Sequence, residues 1–300
     1  MTKGLPCDIA ANYTLSSMSE IFDAGLEKKL EALQDILKSF SSVVIGYSGG
    51  VDSAVLCAAA LRALGPNRML ACLAVGPSLP ERERLAADAV AGEVGFPLLH
   101  YGATEMENPN YRRNGADRCY HCKADLFLHL HRIAREKGFS HVLYGANADD
   151  LSDFRPGHRS ARESAARAPL AEAGLSKNEI RALARQWNVS CHDKPASPCL
   201  SSRIPYHQEV TAEKLARVEK GEDALFALGF RELRLRSDGD EARIEVPLQE
   251  LARFAEPGFM KSITLSLNQL GFNRVTLDAQ GLRPGNLNAA LSERERSNAL

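Results

Sequence analysis

Val43-Val44-Ile45-Gly46-Tyr47 is a short β-branched run, and it ends in Ser48-Gly49-Gly50-Val51-Asp52-Ser53 before the helix-forming stretch Ala54 to Leu64. Strand, glycine loop and helix in that order constrain this chain more than any other feature. The helix start offers unpaired N–H groups and the positive end of a dipole, and adjacent glycines let an anion approach the main chain. Ser48 and Ser53 add hydroxyl donors to Gly49 and Gly50. An Asp in an anion site makes electrostatic sense when a cation lies between it and the phosphates, so Asp52 is assigned to Mg2+. The sequence has no Gly-Lys dipeptide and no Gly-x-Gly triplet, which excludes the Walker A loop and the dinucleotide fingerprint.

The rest of the chain extends this unit. Leu26, Leu30, Leu33 and Leu37 mark one face of a helix over residues 19–40. Met69 to Val75 reads as a second buried strand, Arg82 to Val94 as a helix, and His141 to Tyr144 as a strand opening on Gly145. Strands alternating with helices predict an α/β fold with a Rossmann-like parallel sheet. Ligands in such sheets sit outside the carboxyl ends of the strands. Gly145, Asn147 and Asp149 after one strand, and Val75 and Ser78 at the end of another, are therefore further candidates for nucleotide contact, although turn chemistry alone also accounts for Gly, Asn and Asp.

Lys194 to Tyr206 (KPASPCLSSRIPY) holds three prolines and three serines and reads as loop. A helix over Thr211–Leu228, strands over Arg231–Arg236 and Ala242–Val246, a helix near Leu248–Phe254 and a strand over Asn273–Leu277 follow, a second and smaller α/β unit. Expected boundaries are 1–195, 196–284 and a frayed, disordered tail over 285–300. Arg234 and Arg236 stand two apart on a strand and share one face, a pattern suited to a phosphate.

Thirty-seven basic and thirty-eight acidic residues give a net charge of −1, which argues against a nucleic-acid coat protein. Neither a secretory leader nor a membrane-length apolar run is evident, so no membrane partner and a cytoplasmic location are expected. Seven cysteines in a reducing compartment point to metal or thiol chemistry rather than disulfides. Cys57 and Cys72 lie in apolar runs and read as packing. Cys119 and Cys122 form a C-x2-C pair, and Cys199 lies in the proline-rich loop near the cations Lys194 and Arg203. Three chemistries stay open for this trio: a [4Fe-4S] cluster, Cys199 alone as nucleophile, or structural zinc with Cys191 or His121 as fourth ligand.

The loop S-G-G-V-D-S resembles the PP-loop of the ATP pyrophosphatase superfamily. With R-C-Y-H-C-K (118–123), G-A-N-A-D-D (145–150), R-P-G (155–157), D-K-P-A-S-P-C-L-S-S-R-I-P-Y (193–206) and G-F-R-E-L-R-L-R (229–236), the chain resembles the LarE family of ATP-dependent sulfur transferases. The resemblance implies an adenine nucleotide alpha hydrolase-like fold, with ATP and Mg2+ adenylating a carboxylate of a pyridinium biscarboxylate mononucleotide. A sulfur nucleophile then displaces AMP, giving a thiocarboxylate for a nickel-pincer nucleotide cofactor. It implies substrate contacts at Ser202, Arg203, Glu222, Arg234 and Arg236, a homo-oligomer, and a sulfide donor protein of unknown identity. One branch of the family sacrifices the sulfur of the cysteine matching Cys199. Another holds a [4Fe-4S] cluster on that cysteine and a C-x2-C pair, and Cys119 and Cys122 place this chain there by resemblance. A PP-loop tRNA thiolase is the alternative outside the family.

Overall fold

The computed structural model describes residues 24–152, 157–283 and 285–299. Cys7 and most of the R-P-G motif lie outside these residues, as does the start of the leading helix. The first unit comprises α1 (Ala24–Lys38), β1 (Val43–Tyr47), α2 (Val51–Leu64), β2 (Met69–Val75), α3 (Glu81–Val94), β3 (Leu98–Gly102), α4 (Pro109–Arg112), α5 (Arg118–Lys137), β4 (His141–Tyr144), α6 (Gly157–Glu163), α7 (Pro169–Glu172) and α8 (Lys177–Gln186). The four strands pair parallel in the order β3-β2-β1-β4.

Alternation along β1 sets the two layers. Val43 and Ile45 pack in the core with Leu30, Leu33 and Leu37 of α1, the apolar length of α2, and Ile180 and Leu183 of α8. Val44 faces the other way, into a core with Cys72, Phe127, Leu130 and Val142 under α5. A sheet covered on both faces needs strands that are apolar on both sides, which is why β1 and β2 read as continuous hydrophobic runs. The chain leaves β1 for β2 and β3 on one side and returns to pair β4 on the other. The order therefore reverses between β1 and β4, and the crevice at their carboxyl ends is where such sheets take ligands.

The second unit contains α9 (Ala212–Phe226), β5 (Arg234–Asp238), β6 (Glu241–Glu245), α10 (Phe259–Asn268), β7 (Arg274–Leu277) and α11 (Glu293–Ala299). β5 and β6 are antiparallel, and β7 adds parallel to β6. Its core gathers Leu225, Phe230, Leu235, Ile244, Ile263, Leu267 and Phe272. A further cluster joins the units: Tyr111 of α4 meets Leu200 and Ile204 of the cysteine loop and Leu215 and Val218 of α9.

Three expectations change. Residues 248–255 form a 3-10 segment rather than an α-helix. Leu251 and Phe254 stand three apart, the spacing that stacks side chains in a 3-10 turn, and both pack on the second core. The tail, expected to fray, carries a 3-10 turn over Asn286–Ala290 and α11. Leu291 is buried, Asn286 Nδ2 donates to Glu245 Oε1 at 2.7 Å, and Tyr206 Oη donates to Asn288 Oδ1 at 3.0 Å. Neither contact is readable from a polar sequence. Finally β3, α4, α5, α6, α7, α8 and α10 have no counterpart among the elements expected from the sequence. Among the described residues no helix is long and apolar enough to cross a membrane.

Gly145 marks the closest approach of β4 to the glycine loop. A Cβ there would lie 2.8 Å from the Ser53 amide nitrogen and 2.9 Å from its Cα. Gly145→Ala should push the β4 end off the α2 start, lowering stability by about 1–3 kcal/mol. Weaker ATP binding, by about tenfold, should accompany it in calorimetry beside a urea-unfolding curve.

Candidate active site

The glycine loop is already shaped for an anion. Gly49 has φ +72°, and a Cβ on it would meet Ala87 Cβ at 2.8 Å, so the turn needs glycine on two counts. Ser53 Oγ donates to Gly50 O at 3.0 Å and accepts from Ser48 N at 3.2 Å, closing the loop on itself. Gly50 caps α2 without a side-chain cap, and Ala54 N is the first amide to find a carbonyl, that of Gly50. The Val51, Asp52 and Ser53 amides are left to a ligand.

Asp52 is held differently from the bare magnesium ligand expected. Its Oδ2 accepts from Lys177 Nζ at 2.6 Å, while Oδ1 is buried with no partner. An orphaned carboxylate oxygen at the mouth of a phosphate loop fits a hard cation such as Mg2+. Lys177, the first residue of α8, was missed by sequence reasoning. Its signal was the capping box Ser176-x-x-Glu179, which the structure shows complete. The Lys177 amide donates to Asp149 Oδ2 at 2.8 Å, so both acidic residues converge on one lysine. Asn147 is spent on its own loop, its Oδ1 accepting from the Asp149 and Asp150 amides at 2.9 and 3.2 Å. That is turn chemistry, the other role the sequence allowed for it.

The β2 end joins the nucleotide crevice to the cysteine loop. Leu200 N donates to Ser78 O at 2.9 Å, and Ser78 Oγ donates to the buried Glu105 at 2.7 Å. Val75, at the strand's last position, is half-buried against the first core. The residue after Cys199 is thus anchored to the same sheet edge that carries the glycine loop.

Arg203, expected as a substrate contact, is paired with a carboxylate while it also lines a cavity. Its Nε donates to Glu222 Oε1 at 2.7 Å and its Nη1 to the carbonyls of Pro198 and Cys199 and to Ser202 Oγ. Glu222 is fully buried and also takes Arg82 of α3 at 2.5 Å and the Leu235 amide at 3.1 Å. Both residues hold the cysteine loop in place. Arg236 is partly committed, with Nη2 on Glu245 at 2.8 Å and Nη1 on Ser202 O at 2.5 Å, but its buried Nε has no partner. Arg234 has no carboxylate within 4.0 Å among the described residues, and burial followed by the Arg236 and Arg203 charges lowers its pKa. It lines a cavity of about 250 Å³ with Arg82, Lys194, Arg203, Arg231 and Phe226, where an anion would relieve that repulsion. A larger hollow, about 570 Å³, opens beside β3 around Phe96 and Pro97, but no comparable set of cations converges on it.

Cys119 and Cys199 are exposed and Cys122 half-buried. Burial, then the charges of Cys199 and Glu105, push the Cys122 thiol well above the usual range, so the thiols are electrostatic neighbours. They are the soft donor set that an iron–sulfur cluster takes. Among the described residues, however, no three His, Cys, Asp or Glu side chains are gathered as a metal cage. Cys191 packs in the first core beside Val189 and Leu183, and His121 Nε2 pairs with Asp117 at 3.1 Å; neither completes a zinc site. Cys57 and Cys72 are buried, the latter pushed up to about 12 chiefly by burial, as packing residues should be. Arg118, for which the sequence indicated no role, is buried near Cys119 and Cys199.

An uncapped helix behind a glycine loop, at the reversal point of a parallel sheet, defines an ATP-using PP-loop enzyme. The NAD synthase family model matches residues 26–108, the span from α1 through β3. A 41% identical protein of unassigned function from Synechocystis aligns over 89% of this chain and all of its own length. The pyridinium-3,5-bisthiocarboxylic acid mononucleotide synthase of Lactiplantibacillus plantarum is 33% identical over 90% of this chain and 97% of its own. The chain belongs to the LarE family and is an ATP-dependent sulfur transferase of pincer-cofactor synthesis.

Removing the buried carboxylate should cost more than any surface charge. Glu222→Ala leaves Arg203, 2% exposed, without its counter-ion and should destabilise the fold by about 3–5 kcal/mol in urea unfolding.

Proposed function

We propose that this chain converts the carboxylates of pyridinium-3,5-biscarboxylic acid mononucleotide to thiocarboxylates, one per ATP, through an acyl-adenylate. The observation that carries this reading is the Leu200–Ser78 hydrogen bond, which anchors the Cys199 loop to the strand edge where ATP would lie. Activation and sulfur delivery then share one crevice.

In the first step the glycine-loop amides and the Ser48 and Ser53 hydroxyls hold the β- and γ-phosphates. The substrate carboxylate, ionised near neutral pH, needs no general base to attack the α-phosphate. Asp52 would hold Mg2+, which neutralises charge on the departing pyrophosphate. Lys177, paired with Asp52, is placed to donate to a phosphate oxygen as well. Gly145 keeps β4 close enough for Asp149 to stay on Lys177. Val75 and Ser78 border the base. Arg234, with the spare Nε of Arg236, takes the substrate's phosphate, while Arg203, Glu222 and Ser202 shape the loop beside it.

Cys119, Cys122 and Cys199 would hold a [4Fe-4S] cluster, which supplies an iron-borne sulfide and so permits repeated turnover. Burial, then the Cys199 and Glu105 charges, disfavour a free Cys122 thiolate, and a bound cationic centre would offset this. A cation-lined cavity of this size suits one small nucleotide better than RNA.

Pyrophosphate and thiocarboxylate should appear only when ATP and the biscarboxylate nucleotide are both present, read by a coupled assay and mass spectrometry. Asp52→Asn should abolish both. Arg234→Met should raise KM for the nucleotide by about tenfold or more with a smaller change in kcat. Anaerobic purification should yield iron and labile sulfide near four of each per chain. A Cys199 peptide lighter by roughly 34 Da after turnover would instead show that this cysteine gives up its own sulfur.

A further inference from the structure

Arg118 is a buried cation that no carboxylate neutralises. It is 3% exposed, at the first residue of α5, and among the described residues no Asp or Glu lies within 4.0 Å of its guanidinium. Nη1 donates to Asn114 Oδ1 at 2.5 Å and to Ser201 O at 2.8 Å, and the Tyr206 ring lies 5.7 Å away. Nε and Nη2 donate to no described group. Burying a guanidinium in this way is costly unless an anion joins it. The groups within its electrostatic reach that can supply negative charge are the Cys199 and Cys119 thiols and the Tyr206 and Tyr111 phenols. The guanidinium also bridges the two cysteine segments: Cys119 is the next residue of α5, and Ser201, whose carbonyl it holds, lies two residues past Cys199.

We propose that Arg118 is the positioning residue of the sulfur centre. It clamps the Cys199 loop to the C-x2-C helix through the Ser201 carbonyl, and its unneutralised charge holds anionic sulfur between Cys119 and Cys199. Two neighbours share the clamp. Tyr111 Oη and Ser201 Oγ are 2.5 Å apart, and Asn114 Nδ2 donates to Pro205 O at 2.7 Å, so the loop is fixed on both sides of Ser202-Arg203. The clamp and the charge sit on one side chain, which a purely structural arginine would not require: a neutral donor could hold Ser201 O without a buried cation. The assignment deepens the sulfur-transfer reading and rests on it.

Charge at the thiols can be read without turnover. On the full-length chain, reduced and free of metal, Cys199 is alkylated in parallel by iodoacetate, an anion, and by neutral iodoacetamide, and the labelled peptide is quantified by mass. Loss of a nearby cation should lower the iodoacetate-to-iodoacetamide rate ratio by about three- to tenfold in both Arg118→Gln and Arg118→Met. Arg118→Lys should keep most of the ratio. In the assembled enzyme, Arg118→Gln should reduce thiocarboxylate formation at least tenfold more than pyrophosphate release, a split that general destabilisation would not produce. An unchanged ratio in a neutral variant with a wild-type melting transition would overturn the proposal. Should the ratio fall as expected while the wild-type chain makes no thiocarboxylate, the sulfur-transfer reading fails and the cation assignment stands. Should thiocarboxylate form with the ratio unmoved, the reverse holds.

Discussion

Glu222 has no access to water, yet three elements from different parts of the chain converge on it: Arg82 from α3, Arg203 from the cysteine loop and the Leu235 amide of β5. A buried carboxylate is tolerable only when its charge is matched and its lone pairs are filled, and here both conditions are met by parts that must hold the substrate site together. The same guanidinium that satisfies Glu222 reaches the carbonyls of Pro198 and Cys199. One carboxylate, paired with two guanidiniums, therefore ties the nucleotide unit, the cysteine loop and the second sheet, and a shift in any of them would expose uncompensated charge. Such a pair contributes little net stability against an apolar substitute; what it supplies is a single arrangement of the loop.

Two kinds of arginine follow from this arrangement. Arg203 and Arg82 are matched by carboxylates and hold structure. Among the described residues Arg234 and Arg118 are buried with no carboxylate in reach, one lining the cavity beside Lys194 and the other holding the Ser201 carbonyl of the cysteine loop. An unmatched buried cation is destabilising by itself, so its persistence marks a place where an anion belongs.

The nucleotide half was legible because its chemistry is local. Ser48 to Ser53 are consecutive, and a strand feeding a helix carries its anion site wherever it occurs. The flanking strands β1, β2 and β4 were equally readable as unbroken apolar runs. β3 was not, since an edge strand with His100 and Tyr101 lacks that signature. Nor was α5, whose buried face is interrupted by Arg118, Cys122 and His129. Lys177 stood in plain view within a capping box, but its pairing with Asp52 spans 125 residues and no local rule predicts it. The second-unit arginines lie on one strand as expected, yet nothing in their spacing distinguishes Arg236, held by Glu245, from Arg234, which no carboxylate among the described residues holds.

Short-range pattern in the sequence thus determined the parallel sheet, the phosphate loop and the family to which its motifs point, because each depends on neighbours along the chain. The role of individual charges was decided only by tertiary structure. A guanidinium's function depends on whether a carboxylate reaches it through space, and the partners of Arg203, Asp52 and Arg118 are set by how distant segments pack.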